Sequence, residues 1–217
     1  MIKLVVIDFD DTLSQNEEAV FHYENYTIKK MGFPAMSRAA HQKNWGIPMR
    51  EAIIERVPGI DPDAFITLHK QFLPKFIKDK KIDQISEQNI QTLKKLKKAG
   101  KHLAILTSRV YHEVEHLLDK SHLINKYVEK IYHSDSSEYH KPDPRAFDQI
   151  LSEFNVTPQE SVYVGDSLSD GICAKGAGLH FIALLEGGIR NKEDFKSVKV
   201  DYFAQTFPDI LAYIEKH

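Results

Sequence analysis

Short apolar runs alternate with amphipathic segments over most of the chain. Residues 2–7 form an apolar run rich in β-branched side chains, and comparable runs recur at 102–106, 161–164 and 181–185. Runs of this length, bounded by polar residues, are typical of strands buried on both faces. A weaker strand is expected at 127–132, and 181–185 is expected to be the final strand. The apolar pattern therefore predicts a sheet built from five short strands.

Helical patterns separate these strands. The segment 86–99 is amphipathic and ends at Gly100, and further helices are expected at 110–118, 144–154 and 168–175. Pro144 fits the first turn of its helix, where no backbone donor is needed. Strands that alternate with helices favour a parallel sheet covered on both faces. We expect an α/β fold with a three-layer, Rossmann-like core.

The segment from residue 15 to about residue 83 interrupts this alternation. It is rich in Glu, Lys, His, Ala and aromatic residues and contains few strand-like runs. Asp61-Pro62-Asp63 is a strong helix start within it. We expect a helical cap domain at 15–83, inserted after the first strand, and a catalytic core made of 1–14 and 84–217. Such an insert would lie at the carboxyl edge of the sheet, above any site there.

Charge and cysteine content exclude several classes of protein. Among 217 residues, 29 Lys and Arg face 31 Asp and Glu, so the formal net charge is −2. This balance gives no electrostatic case for nucleic-acid binding. The single cysteine, Cys173, excludes an internal disulfide framework and a multi-cysteine zinc site, and it favours a reducing, cytoplasmic setting. No apolar stretch approaches the ~20 residues that span a bilayer, so we expect no membrane partner.

Reactive polar groups follow three of the predicted strands. In chain order these groups and their neighbours are Asp8 and Asp10, Thr107 and Ser108, Lys141, and Asp166 with Asp170. Each has a local explanation: the hydroxyls could cap a helix, the lysine could be solvated, and the acids could form turns. Their recurrence at strand ends instead favours a shared site, because ligands of open α/β sheets bind there. Clustered carboxylates at such a site suit Mg²⁺.

The same residues carry a family resemblance. Asp8-x-Asp10-x-Thr12, Thr107 after an apolar strand, Lys141 before Pro142, and Gly165-Asp166-x-x-x-Asp170 resemble the four ordered motifs of the haloacid dehalogenase superfamily. The position of the insert resembles the helical cap of the phosphoglycolate phosphatase and β-phosphoglucomutase branch. Asp11 departs from the glycine that is frequent before the threonine.

The resemblance implies a role for each motif residue. Asp8 would attack phosphorus to form an aspartyl phosphate, and Asp10 would act as general acid and then general base. Mg²⁺ would be held by the Asp8 carboxylate, the Asp10 carbonyl and Asp166. The phosphoryl oxygens would be held by Thr107, the Ser108 N–H and Lys141. Asp170 would orient Lys141 or a metal-bound water.

Two features of the first motif exclude other branches of the superfamily. Halide-displacing dehalogenases lack the second carboxylate of this motif, which is present here as Asp10. Cation pumps need transmembrane helices and a lysine directly after the nucleophile, where this chain has Phe9.

The insert is where we expect the substrate to be selected. In it, Trp45 and Arg50 lie in a segment that resembles the cap loop of relatives, and Arg50 could meet a second anionic group. Equally, Arg50 could be a solvated helix residue and Trp45 a core anchor. His22 is spaced too far from Asp8 to take the histidine role of the mutases.

The sequence thus predicts a Mg²⁺-dependent phosphatase that hydrolyses a small phosphorylated metabolite, similar to phosphoglycolate, a sugar phosphate or a nucleotide. The alternatives are a phosphosugar mutase on the same fold and a non-catalytic phosphoacceptor or binding protein. We expect a small-molecule phosphate substrate, no nucleic-acid partner, and a monomer or homodimer.

Overall fold

Six parallel strands form a single sheet in the computed structural model, which describes every residue from Met1 to His217. In chain order the strands are β1 (Leu4–Ile7), β2 (His102–Leu106), β3 (Lys130–Tyr132), β4 (Ser161–Gly165), β5 (His180–Leu184) and β6 (Tyr202–Ala204). Across the sheet the order is β3-β2-β1-β4-β5-β6, and every neighbouring pair is parallel. The predicted α/β fold with a parallel sheet is confirmed.

The central strand β1 lies where the strand order changes direction. The chain passes from β1 outward through β2 to β3 and then returns to β4 on the other side of β1. Ile7 is opposite Ile105 of β2 and Val164 of β4. Open α/β sheets bind ligands at the carboxyl ends of strands next to such a point. The residues that follow β1, β2 and β4 are therefore brought to one edge.

Helices cover both faces of this sheet. The α-helices of the chain are α1 (Glu17–Lys30), α2 (Arg38–Lys43), α3 (Met49–Arg56), α4 (Pro62–Lys78), α5 (Glu87–Lys98), α6 (Tyr111–Leu118), α7 (Asp148–Phe154), α8 (Leu168–Gly176) and α9 (Ile210–Ile214). Because side chains alternate along a strand, Val5 and Ile7 pack with α5, α6 and α9, whereas Leu4 and Val6 pack with α7 and α8. The three-layer core is confirmed. No helix combines the length and apolar character needed to cross a membrane.

The carboxyl-terminal region differs from the sequence-based expectation. The segment 181–185 is not the final strand, because β6 pairs with the outer side of β5. β6 has only three residues, two of them partly exposed, and α9 has five. Elements this short do not produce a recognisable apolar period, so the sequence pattern missed both.

Two other predicted elements are shorter than expected. The strand at 127–132 is reduced to β3, because Tyr127 and Val128 donate hydrogen bonds to the Ile124 carbonyl and so continue a 3₁₀ turn. The helix at 144–154 begins as a 3₁₀ turn, Pro144–Phe147, before α7. The Asp143 side chain caps that turn by accepting a hydrogen bond from the Arg145 N–H.

The chain divides into two compact units. The sheet unit is Met1–Ser14 together with Ile85–His217, and the helical unit is Gln15–Gln84. The helical unit contains α1 to α4 around two small apolar clusters. Its two ends are joined, because the Asn16 side-chain oxygen accepts a hydrogen bond of 3.0 Å from the Asp83 N–H. A hydrogen bond therefore holds the beginning and the end of the helical unit together.

Charged side chains are buried inside the helical unit. Nη1 of Arg56 lies 3.0 and 2.8 Å from the two carboxylate oxygens of Glu24, and Nη2 donates to the Asn44 carbonyl at 2.8 Å. Nearby, Nδ1 of His41 lies 2.8 Å from a Glu17 oxygen. Burial, and then the Arg56 charge, lower the pKa of His41 to about 4, so its ring is neutral at neutral pH. The fold of this unit therefore depends on matched buried charges.

Replacing Arg56 with Ala should destabilise the helical unit strongly. The change leaves the Glu24 carboxylate buried without its cation, and such breaks cost about 3–5 kcal/mol. Denaturant unfolding followed by circular dichroism measures the loss. The matched control is Lys75→Ala, which removes an exposed i,i+4 pair with Asp79 and should leave the unfolding midpoint unchanged. Equal midpoints for the two variants would contradict this account.

Candidate active site

Two acidic side chains meet where β1 and β4 end. Asp8 directly follows β1, and its N–H donates to the Val164 carbonyl at 2.9 Å, which continues the parallel ladder by one residue. Asp166 directly follows β4. Both residues are buried. The pairing of β1 with β4 thus places two carboxylates that are distant in sequence at the same edge of the sheet.

Lys141 joins this acidic group from the loop before α7. Its Nζ lies 2.9 Å from Oδ1 of Asp8 and 2.7 Å from Oδ1 of Asp170. Only 6% of the lysine side chain is exposed. Lys141 is therefore a buried counter-ion rather than the solvated loop lysine that its neighbouring prolines also allowed.

Asp170 is fixed by its own helix. At the start of α8, Ser167 caps the Asp170 N–H, and the Asp170 carboxylate accepts hydrogen bonds from the Ser167 N–H at 3.0 Å and hydroxyl at 2.6 Å. Gly165 makes room for it, because a Cβ at this position would lie 2.6 Å from atoms of the Asp170 side chain. The Gly165-Asp166-Ser167 sequence is thus needed to place Asp170 against Lys141.

A tyrosine completes the polar group. Tyr163 lies in the middle of β4, and its hydroxyl accepts from Lys141 at 3.1 Å. The same hydroxyl lies 3.1 Å from Oδ1 of Asp170 and 3.0 Å from the Leu106 carbonyl, to either of which it can donate. Burial, and then Asp170 and Asp8, raise its pKa, so it remains a neutral hydrogen-bonding group. Tyr163 thus joins β4 to the end of β2 through the Leu106 carbonyl, and it also contacts Lys141.

The buried acids repel one another. Burial raises the pKa of Asp8 to about 7, although Lys141 opposes the shift. Burial, and then the charges of Asp170 and Asp8, raise the pKa of Asp166 well above its usual range. For Lys141, burial alone would lower the pKa, but Asp170 and Asp8 outweigh it and keep the ammonium charged. The cluster thus has three carboxyl groups for one ammonium.

Thr107 and Ser108 follow β2 at the same edge. They are not the cap of α6, because the residue before that helix is Val110, whose N–H is bound by the Glu113 side chain. With Lys141, His133 and Ser134, they line a small pocket. The structure thus brings together hydroxyl, backbone and ammonium groups of the kind that bind phosphate oxygens.

Asp10 is paired with a cation other than Lys141, and its charge contributes to the raised pKa of Asp8. Its carboxylate accepts two hydrogen bonds from Arg109, at 2.6 Å from Nη2 and 2.9 Å from Nε. The turn that carries it folds back through Asp11, whose N–H donates to the Ser14 carbonyl at 2.7 Å. Asp11 has a φ of 50°, in the left-handed region that favours glycine, which explains why its place suits a glycine.

Residues predicted to select the substrate lie in the helical unit. Arg50 stands in the first turn of α3, 48% of its side chain is exposed, and it pairs with Asp63. Trp45 packs against His41 with ring centroids 5.0 Å apart. His22 is exposed.

Cys173, the single cysteine, lies in α8 and is buried in the core. Burial raises the pKa of its thiol to about 12.

Sequence reasoning missed Tyr163 and Arg109. A signal existed for Tyr163, because a tyrosine inside a fully buried strand must find a partner for its hydroxyl. No sequence rule pointed to Arg109, since its contact with Asp10 joins residues 99 positions apart through irregular loops.

The donor set fits a hard divalent cation. Carboxylate oxygens of Asp8, Asp166 and Asp170 lie within 4.8 Å of one another, and all three residues are buried. Oxygen ligands of this kind are those that Mg²⁺ prefers. Asp170 is already bound by Lys141 and Ser167, which leaves Asp8 and Asp166 as the side chains best suited to the ion.

Comparisons with known proteins show the family of this chain. The family model described as haloacid dehalogenase-like hydrolase matches residues 5–184. The chain is 26% identical to a phosphoglycolate phosphatase of Vibrio vulnificus (strain CMCP6) over 219 residues, which is 97% of this chain and 95% of that protein. It is 38% identical to a probable phosphoglycolate phosphatase of Pseudomonas putida over 96 residues, which is 44% of this chain but only 38% of that protein.

A solved structure shares the fold. The crystal structure of a predicted phosphoglycolate phosphatase from Haemophilus somnus superimposes with a TM-score of 0.83 at 22% identity, and the match covers 98% of this chain and 97% of that one. At this level of identity the match establishes the architecture alone.

The raised pKa of Asp8 predicts a pH-dependent stability in buffers free of divalent cations. The folded protein keeps a proton on Asp8 up to about pH 7, whereas the unfolded chain loses it near pH 3.8, the ordinary pKa of an aspartate side chain. The contribution of Asp8 to the free energy of unfolding is therefore largest below 3.8 and is lost as the pH rises to about 7. Thermal unfolding in EDTA at several pH values, for the wild type and Asp8→Asn, measures it. The wild type should lose stability relative to the variant over this range, and parallel profiles would contradict the prediction.

Proposed function

This chain belongs to the haloacid dehalogenase-like hydrolase family, and we propose that it is a Mg²⁺-dependent phosphatase of small phosphorylated metabolites that works through an aspartyl phosphate on Asp8. The observation that carries the proposal is the buried group formed by Asp8, Asp166, Asp170 and Lys141. Phosphoryl transfer needs a positioned nucleophile and positive charge around the transferred group. This group supplies both at the carboxyl edge of the sheet.

In the first half of the reaction, Asp8 is the nucleophile. A carboxylate oxygen of Asp8 forms a bond to phosphorus while the bond from phosphorus to the ester oxygen breaks. Lys141, already within 2.9 Å of Asp8, provides an ammonium for the phosphoryl oxygens. Thr107 and Ser108 line the same small pocket as Lys141, and their hydroxyl and N–H groups supply further donors. Asp10 gives the leaving oxygen its proton.

In the second half, water releases the phosphate. Its oxygen forms a bond to phosphorus, the bond between phosphorus and Asp8 breaks with its electron pair returning to the carboxylate, and Asp10 accepts the water proton. Asp170 keeps Lys141 in place throughout, since it is fixed by Ser167 at the start of α8. The enzyme returns to its starting state with inorganic phosphate as product.

Asp8 and Asp166 would hold Mg²⁺, together with the Asp10 carbonyl that the family resemblance adds. The bound ion supplies positive charge that lets an anionic nucleophile approach an anionic substrate. The buried acids fit this requirement, because three carboxyl groups share one ammonium, and burial together with their mutual repulsion raises the pKa of Asp8 and Asp166 when no further cation is bound.

Phosphoglycolate is the first substrate to test, because relatives matched over nearly their whole length are phosphoglycolate phosphatases. Sugar phosphates, nucleoside monophosphates and pyrophosphate complete the panel. Selection among them is assigned to the helical unit, where Arg50 and Trp45 remain predicted specificity residues. An Arg50→Ala variant on the same panel tests that assignment.

Phosphate release from this panel should require both Mg²⁺ and Asp8. EDTA should abolish release, and Asp8→Asn should reduce it to background because the amide cannot act as the nucleophile. The control Lys97→Ala removes a surface ion pair with Glu129 and should retain full activity. Mg²⁺-dependent release by Asp8→Asn at the wild-type rate would refute the mechanism. Isomerisation of a phosphosugar without phosphate release would identify a mutase instead.

The role of Asp10 predicts a dependence on the leaving group. Asp10→Asn should slow hydrolysis of phenyl phosphate on the order of 10²–10⁴-fold, which is the usual contribution of general acid–base catalysis. The loss should be smaller for para-nitrophenyl phosphate, whose leaving group hardly needs protonation. Steady-state rates with the two esters make the comparison. An equal loss for both would exclude Asp10 as the acid.

A further inference from the structure

We propose that Arg109 is a positioning residue that holds Asp10 as the base for the second half of the reaction, a role that rests on the proposed function. The guanidinium contacts both carboxylate oxygens of Asp10 through Nη2 and Nε, in the two-point geometry that suits arginine and carboxylate. Only 9% of the Arg109 side chain and 20% of the Asp10 side chain are exposed. The contact is therefore a largely buried one.

The arginine is itself held in place. Its guanidinium carbon lies 5.0 Å from the centre of the buried Phe9 ring, and Nη1 lies 3.3 Å from the Glu113 carbonyl. Its backbone N–H donates to the Thr107 hydroxyl at 3.3 Å, and its carbonyl accepts from the Ser134 N–H at 2.8 Å. Arg109 thus extends from the end of β2 as a fixed support rather than as a mobile side chain.

Asp10 needs such a support. It lies in the turn after β1, outside any regular helix or strand, and its carboxylate is not among the acids gathered around Lys141. A catalytic group has to be held within about 0.5 Å of its working position. The two bonds from Arg109 fix both the direction and the plane of the Asp10 carboxylate.

The geometry assigns this support to one half-reaction. Both Asp10 oxygens accept N–H bonds from Arg109, a two-point contact that suits a carboxylate, and in the second half of the reaction it is as a carboxylate that Asp10 takes the proton from water. In that step the water oxygen bonds to phosphorus, its proton passes to Asp10, and Asp8 leaves. Loss of Arg109 should therefore slow hydrolysis of the aspartyl phosphate more than its formation.

A direct role in substrate binding fits the contacts less well. Nε and Nη2 are engaged by Asp10, and Nη1 is engaged by the Glu113 carbonyl. A substrate anion would have to displace Asp10 to reach the fork of this arginine. We therefore expect Arg109 to act through Asp10. Loss of a positioning residue lowers kcat, whereas loss of a substrate ligand raises KM with kcat unchanged.

The experiment is rapid-mixing kinetics of Arg109→Ala with para-nitrophenyl phosphate and Mg²⁺. We expect a burst of nitrophenol of about one equivalent per enzyme, followed by a steady state slowed on the order of 10- to 100-fold. The aspartyl phosphate should accumulate on Asp8, and KM should fall together with kcat. In an Asp10→Asn background, Arg109→Ala should add little further loss, because both changes act on one group. Lys97→Ala is the surface control.

Each other outcome overturns the inference. A raised KM with unchanged kcat would make Arg109 a substrate ligand, and a slowed burst would place it in the first half-reaction. Losses that multiply with those of Asp10→Asn would show an independent role. Should Arg109→Ala fold poorly, Arg109→Lys applies the same test, since a single ammonium cannot reproduce the two-point contact and should give a smaller loss. If Asp8 is never phosphorylated in any variant, the proposed function fails instead.

Discussion

One ammonium group shared among buried carboxylates is the interaction on which the rest of the site depends. Lys141 lies between Asp8 and Asp170, in a position where burial and mutual repulsion raise the pKa of Asp8 and Asp166. Removal of this charge from the cluster would leave several acids facing one another out of water, at a high cost in free energy. The excess of carboxyl groups over ammonium groups is what makes the cluster suited to a divalent cation.

The architecture serves to hold that cluster in place. The reversal of strand order at β1 brings the ends of β1, β2 and β4 to one edge, and Tyr163 links them through Lys141 and the Leu106 carbonyl. Gly165 and Ser167 fix Asp170, while Arg109 holds Asp10 on the neighbouring turn. Asp170 and Tyr163 are therefore supported by a helix start and a strand, whereas Asp10 lies on a loop and is held by Arg109.

Much of this could be predicted from the sequence. Apolar runs located the central strands, and the order of polar groups at their ends pointed to Asp8, Thr107, Lys141 and Asp166 before any geometry was known. The short elements β6 and α9 were not predicted, because they have too few residues to show a periodic pattern of apolar side chains. Arg109 was not predicted for a different reason. Its contact with Asp10 joins two irregular loops, and neither the apolar period nor the spacing of residues indicates such a contact. The burial of charge in the helical unit, such as Arg56 against Glu24, was equally invisible, since amphipathic patterns do not show which charges face inward.

The central claim is that Asp8 becomes phosphorylated during turnover. The most direct measurement is acid quenching of a single turnover with enzyme in excess over substrate, followed by peptide mass spectrometry of the wild type. The account predicts a transient phosphoryl group on the peptide that contains Asp8, located on that residue by fragmentation and absent when Mg²⁺ is removed. Complete phosphate release without any phosphorylated Asp8 at early times would contradict it.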